Sequence, residues 1–351
     1  MVQLILTGLL CGALLGFVMQ RGRFCLTGAY RDLYLTKDNR MFIAVILAIA
    51  VQSIGVFLLY SFGLIQFKEG NFMWLATIIG AFIFGIGIVL AGGCATGTWY
   101  RAGEGLIGSW IALIAYMVSS AMMKGGVLQS LNDSLQSYTV NHVTIYDSFG
   151  VSPWVFVILL SVITGYFVWK QLRKPSVKIP SLKQKKTGIA HVLFEKRWHP
   201  FVTAILVGCI AILAWPLSEA TGRMYGLGVT TPTANILHFL VSGDVSYINW
   251  GVFLVLGIFL GSLIAAKGSG EFRWRTPDAK TTIFSFIGGI LMGIGASLAG
   301  GCSIGNGLVG TAIFTWQGWI ALPFMIFGTW TAAYFTMIRP RQKANASVQT
   351  A

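Results

Sequence analysis

The stretch GIGIVLAGGCATG at residues 85–97 is written a second time as GIGASLAGGCSIG at residues 293–305. Gly85, Gly87, Leu90, Ala91, Gly92, Gly93, Cys94 and Gly97 recur as Gly293, Gly295, Leu298, Ala299, Gly300, Gly301, Cys302 and Gly305. Further along, Trp110, Ile111, Ala112 and Leu113 return as Trp319, Ile320, Ala321 and Leu322 after one inserted residue. A duplication of this kind restricts the fold to two related halves. In each copy an apolar run enters a glycine cluster that ends on a cysteine, and a second apolar run leaves it.

Composition decides the solvent. A chain of 351 residues that is 55% hydrophobic and only 10% charged is not an ordinary soluble domain, and its mean hydropathy of +0.73 points to a polytopic membrane protein. The net charge of +14 does not indicate nucleic-acid binding, because the basic residues lie in short loops between apolar runs. Five cysteines (Cys11, Cys25, Cys94, Cys209, Cys302) match neither a CxxC nor a zinc spacing, and the four histidines are equally scattered, so no metal or cofactor is expected. No basic residue precedes Leu4, and residues 3–20 read as a first span rather than a cleavable leader.

About 20 apolar residues cross the hydrocarbon of a bilayer. That rule places spans near residues 3–20, 42–62, 73–92, 105–123, 153–171, 200–216, 249–267, 282–299 and 319–338. Lys and Arg in short loops mark the cytoplasmic face. Residues 170–199 carry Lys170, Arg173, Lys174, Lys178, Lys183, Lys185, Lys186, Lys196 and Arg197, and basic residues also cluster in 21–40, 267–280 and the tail from Arg339. Residues 125–150 contain no Lys or Arg, and residues 217–248 contain only Arg223. The chain therefore reads as a multi-pass membrane protein with its N-terminus outside and its C-terminus in the cytoplasm.

This orientation makes the copies inverted, since the span entering Cys94 runs inward and the span entering Cys302 runs outward. The expected organisation is a first repeat at 1–123, a linker span with a basic cytoplasmic loop at 124–199, a second repeat at 200–338, and a tail at 339–351. Re-entrant segments are expected near 21–30, 92–104, 217–240 and 300–317. The fold class is all-α, with about nine transmembrane helices and four re-entrant loops or short helices. The first loops of the two halves match weakly, with Gly22, Arg23 and Cys25 against Gly222, Arg223 and Tyr225.

Glycine pairs within apolar runs break helices and free backbone groups at membrane depth, which is tolerated only inside protein or along a cavity. Helix restarting after Cys94 and Cys302 turns the N–H groups of Ala95, Thr96 and Gly97, and of Ser303, Ile304 and Gly305, toward the midplane. Such half-helix N-termini attract anions, and inverted repeats place a transport site there. A thiol is soft and polarizable, which suits a sulfur-containing anion such as thiosulfate that must not be held too tightly. Arg21, Arg23, Arg101 and Arg223 stand where they gather anions at the mouths.

The plainer reading takes GxG patterns as helix packing and a membrane cysteine as an apolar filler. One copy would favour it; two inverted copies with matched cysteines favour function for Cys94 and Cys302, and the neighbouring motif extends this to Cys25. Cys11 and Cys209 are assigned to packing. Arg101 with Glu104 reads either as a charge pair at the pore edge or, preferably, as one at a helix end. Asn306 and Gln317 either line the path or satisfy backbone freed by the break.

The segments RGRFCLTGAYRD (21–32), LAGGCATGTWYRAGEG (90–105) and LAGGCSIGNGL (298–308) resemble those of the YeeE/YedE family of bacterial inner-membrane sulfur transporters, and the resemblance runs along essentially the whole chain. It implies an hourglass-shaped protein in which thiosulfate passes along Cys25, Cys94 and Cys302 by S–H···S contacts. It also implies a TusA-like cytoplasmic sulfur carrier as partner. Two other readings stay open: a different cargo (sulfite, a polysulfide or a selenium species) and a membrane thiol oxidoreductase. The missing CxxC weighs against the second. No ATP-binding motif or intramembrane acidic relay is present, so channel-like conduction is the simplest mechanism.

Overall fold

The computed structural model describes residues 2–67, 71–174, 187–196 and 198–342. The expected basic positions Lys178, Lys183, Lys185, Lys186, Arg197 and Lys343 lie outside the described residues. The helices are α1 (Val2–Gly22), α2 (Leu26–Leu35), α3 (Arg40–Ser61), α4 (Trp74–Leu90), α5 (Ala95–Gly103) and α6 (Ile107–Gly125). They continue with α7 (Gln129–Gln136), α8 (Ile145–Phe149), α9 (Pro153–Leu172), α10 (Gly188–Phe194) and α11 (Pro200–Glu219). The last are α12 (Thr230–Ser242), α13 (Trp250–Ser269), α14 (Ala279–Leu298) and α15 (Trp316–Ala333). Among the described residues, nine of these helices or helix-led segments are long and apolar enough to cross a membrane; the helices that lead them keep close to the expected bounds, while the segments led by α1 and α4 run on through the loops into α2 and α5. Two-residue strands, β1 (Phe72–Met73) and β2 (Thr139–Val140), pair antiparallel and tie the start of α4 to the segment after α7.

The helix contacts come in matched pairs. α1 packs on α13 and α11 on α3; α6 packs on α14 and α15 on α4; α2 packs on α15 and α12 on α6. Two further contacts, α4 with α14 and α1 with α11, join equivalent members of the two sets. α9 stands apart against α3, with only Val157, Leu160 and Thr164 buried.

Small residues hold the centre together. Lipid chains are as apolar as Leu, so association of helices in a bilayer rests on close backbone packing. A Cβ placed on Gly80 would lie 2.6 Å from the Gly295 carbonyl oxygen, and one on Gly295 would lie 2.6 Å from that of Gly80. Gly87 and Gly288 show the same reciprocity, at 2.9 Å and 2.8 Å. Gly85 meets the Met325 oxygen of α15 at 2.3 Å, and Gly293 the Tyr116 oxygen of α6 at 2.8 Å. The GIG half of the duplicated motif is therefore a packing surface, and the GGC half alone forms the loops.

Two differences from expectation follow from packing. Cys209 is exposed on α11, so it fills no gap between helices, whereas Cys11 is buried as expected. Arg101 has no carboxylate within ion-pair distance among the described residues, so it forms no helix-end pair with Glu104.

Replacing Gly87 with Leu forces α4 from α14 and is expected to cost about 3 kcal/mol or to prevent folding. Gly165 of α9 has nothing within 4 Å of its Cβ position, and Leu there is expected to leave stability unchanged. Thermal unfolding of the two variants in detergent checks the contrast.

Candidate functional site

The breaks differ in construction. α4 ends at Ala91 as C-cap, Gly92 turns left-handed at φ +72°, and the chain restarts as α5 with Cys94 as N-cap. α14 ends in the same way at Ala299, with Gly300 at φ +67°. Both glycines occupy a backbone region that residues with a Cβ enter only under strain. Cys25 and Cys94 cap α2 and α5 alike: each Sγ accepts from the backbone N–H three residues on, Gly28 and Gly97, at 3.4 Å. Two of the cysteines therefore satisfy free amides at the start of half-helices.

Cys302 does not follow this pattern. Ser303 and Ile304 form a turn, and residues Gly305–Gly310 form a π-helical segment before Thr311 and Ala312 return to helix. The reason is an inserted polar side chain. Asn306 Nδ2 donates to the Ala299 carbonyl at 2.8 Å and the Gly301 carbonyl at 3.1 Å, and Gln317 Nε2 adds a bond to Ala299 at 2.8 Å. Gln136 Nε2 takes the Ser297 carbonyl at 3.0 Å. Of the two readings left open for Asn306 and Gln317, satisfaction of freed backbone is observed, and both residues also line the cavity described next.

A cavity of about 960 Å³ opens on the side of residues 217–248, between the loop at 222–229 and the Gly300 loop. Its lining includes Arg223, Tyr225, Gly300, Gly301, Cys302 and Gly305. Arg223 Nη1 donates to Ser218 Oγ and to the carbonyls of Tyr225 and Gly226 at 2.8–3.0 Å, so a cation is fixed in the wall with no carboxylate in ion-pair range among the described residues. Tyr225 donates from its hydroxyl to the Gly305 carbonyl at 3.1 Å. It therefore caps the π-helical segment rather than starting a half-helix as Cys25 does; α12 begins only at Thr230.

Beyond Cys302 lies a buried junction. Cys94 lies within electrostatic reach of Cys25 and Cys302 and has the Ser303 side chain beside it. Tyr30, fully buried on α2, lies within reach of all three thiols. The hydroxyls of Tyr30, Thr27 and Thr96 are buried with no hydrogen-bond partner among the described residues. Buried polar atoms are normally paired, so these three are available to a guest. Thr96 was expected here. Tyr30 was not; the signal available in sequence was a polar aromatic in a short apolar half-helix five residues after a motif cysteine.

The opposite face is built from charge. Glu271 accepts from Gln20 Nε2 at 2.8 Å and pairs with Arg23 at 3.2 Å and Arg21 at 3.7 Å. Arg21 also donates to the Leu193 carbonyl at 2.8 Å, holding the segment around α10. A second cavity of about 450 Å³ is lined by Arg21, Arg23, Glu195 and Glu271, without a cysteine. Arg23 thus stands away from the thiols, its side chain 61% exposed. Burial raises the pKa of the Glu104 carboxyl, against the lowering pull of Arg101 and Arg23.

Replacing Asn306 with Leu keeps the branched shape, strands the Gly301 carbonyl and leaves the Ala299 carbonyl to Gln317 alone. The expected loss is about 1–3 kcal/mol for each group left unpaired, read as a lowered unfolding temperature of the purified protein.

The family described as sulphur transport matches residues 21–331. The chain is 64% identical over 351 residues to the thiosulfate transporter TsuA of Escherichia coli (strain K12), covering 100% of both chains. It is 33% identical over 350 residues to the thiosulfate transporter TsuA of Spirochaeta thermophila, covering 96% of this chain and 100% of that one. The probable transporter YedE of E. coli is 37% identical over 117 residues, which is 33% of this chain. With its three cysteine loops inside the matched region, the chain belongs to the sulphur-transport family.

Proposed function

We propose that this protein is a permease for thiosulfate uptake across the bacterial inner membrane. The observation that carries the reading is that buried Cys94 lies within electrostatic reach of both Cys25 and Cys302, and that Cys302 lines the large cavity. The cargo is drawn from the two full-length relatives, both named for thiosulfate transport.

Thiosulfate enters from outside past Arg223, whose fixed charge raises the local anion concentration. Cys302 meets it in the cavity wall, and Cys94 and Cys25 receive it in turn. Each hand-over exchanges one weak S–H···S contact for another, so no site traps the anion. The free hydroxyls of Thr96 and Tyr30 replace water around the oxygen end, with the Ser303 side chain beside Cys94. The amides of Gly28 and Gly97 are taken by the cysteines at rest; a sulfur anion that draws the thiols away exposes those amides to its own charge.

The halves 1–123 and 200–338 are read as inverted repeats about the linker 124–199, with the N-terminus outside. Supporting this are the helix contacts that pair off between the halves and the near-absence of Lys and Arg on the side of the large cavity. A TusA-like sulfur carrier is proposed to collect the product on the inner face, where Arg21, Arg23 and Glu271 line the smaller cavity. No catalytic step is assigned.

A sulfate-uptake mutant supplied with thiosulfate as sole sulfur source is expected to grow with the wild-type protein and with Cys209→Ala, and to fail with Cys94→Ala. Full growth with Cys94→Ala would remove the relay.

A further inference from the structure

The two breaks satisfy their freed carbonyls with different chemistry. At the Gly300 loop the donors are neutral amides from Gln136, Asn306 and Gln317. At the Gly92 loop the donor is a cation: Arg101 Nη1 bonds the Gly92 carbonyl, while Nη2 lies 3.7 Å from Cys25 Sγ. Arg21, Arg23 and Arg31 each have a carboxylate oxygen within 3.7 Å, whereas Arg101 has none in ion-pair range among the described residues. It also hydrogen-bonds the Tyr100 side chain, whose ring lies 5.9 Å from the guanidinium carbon, and feels the Glu104 carboxylate from beyond ion-pair range. A half-buried guanidinium held by a carbonyl, a thiol and a phenol has no carboxylate seated on its planar fork among the described residues.

The surroundings point to an anion. Arg101 bridges the first and second cysteine loops, and a Cβ on Gly93 would lie 3.5 Å from Nη1, so the guanidinium covers the backbone just before Cys94. Beside Cys25, Thr27 in the first turn of α2 carries a buried hydroxyl without a partner among the described residues. A neutral amide would satisfy Gly92 at lower desolvation cost, as the other loop demonstrates, so the positive charge serves something besides the fold.

We propose that Arg101 and Cys25 form an inner anion subsite, in which a dianion with a soft terminal sulfur, leaving Cys94, sets its oxygens on the Arg101 guanidinium and its sulfur on the Cys25 thiol. The inference rests on the thiosulfate reading above. Oxygens carrying charge outcompete a peptide carbonyl for the guanidinium, so arrival of the anion releases Gly92 and unties the second loop from the first. At rest the same contact closes the inner side of Cys94. Arg101 is thus both the counter-ion and the latch, and the latch opens only for an anion already past Cys94.

The test uses the full chain in liposomes, with thiosulfate uptake followed against concentration and thiosulfate binding measured on the purified protein. Arg101→Gln is expected to lower the maximal rate about tenfold or more, with the external KM and the binding constant within about twofold of wild type, because the outer cavity is untouched. Arg101→Lys keeps the charge without the fork and is expected to fall between the two. A maximal rate for Arg101→Gln within about twofold of wild type overturns the subsite, as does a lower rate matched by an equal loss of external binding. If Arg101→Gln does not fold, Arg101→Lys decides: an intermediate rate supports the subsite, and a second unfolded variant overturns it, since Arg101 is then structural. Wild-type liposomes impermeable to thiosulfate would refute the transport reading together with this one, whereas an active Arg101→Gln refutes this one alone.

Discussion

A broken helix inside a membrane leaves carbonyl and amide groups that neither water nor lipid can satisfy, and the whole centre of this protein is arranged around that debt. Each unpaired group in hydrocarbon costs several kcal/mol. The chain answers with side chains reached from far away in sequence. Gln136, from the segment after α6, serves the end of α14, and Arg101 serves the loop it follows. The cysteines answer from the other side, accepting from amides at the starts of α2 and α5. A thiol is a weak acceptor, and a cap made from it is easily surrendered. The groups that hold the resting structure are therefore the groups a passing sulfur anion can borrow.

The glycines act at two levels. Gly80, Gly87, Gly288 and Gly295 bring α4 and α14 into antiparallel backbone contact, which sets the Gly92 and Gly300 loops at opposite ends of the helix pair. Gly92 and Gly300 then make turns that a side chain would strain. Without the first set α4 and α14 would not pack; without the second the helices would not break where they do. The near-symmetric scaffold nonetheless supports an asymmetric path. Toward the loop at 222–229 there is a wide cavity lined in part by Cys302, and toward Glu271 there is a layer of paired charges with a smaller cavity.

Much of this was legible beforehand, and the reasons differ by feature. Helix bounds were readable because the bilayer demands apolarity along every span. The GGC loops were readable because they occur twice. The π-helical segment after Cys302 was not: Ser303-Ile304-Gly305 differs little from Ala95-Thr96-Gly97, and the divergence comes from Asn306 reaching back to two carbonyls. The exposure of Cys209 was hidden because an apolar residue reads alike whether it faces lipid or protein. Arg101 beside Glu104 resembled a local ion pair, and only the fold shows the guanidinium turned instead toward Gly92 and Cys25.

By itself the sequence determined residence in a membrane, the number and place of the spans, the duplication and the glycine-cysteine breaks. These are local or repeated properties, written wherever the solvent or an ancestral copy imposes the same requirement. Which polar atoms find partners, which side of the junction is open, and which cation stands by the thiols were decided by the tertiary structure. Those outcomes depend on pairs such as Gln20 with Glu271 and Gln136 with Ser297, far apart in the chain, and only packing brings them within hydrogen-bond distance.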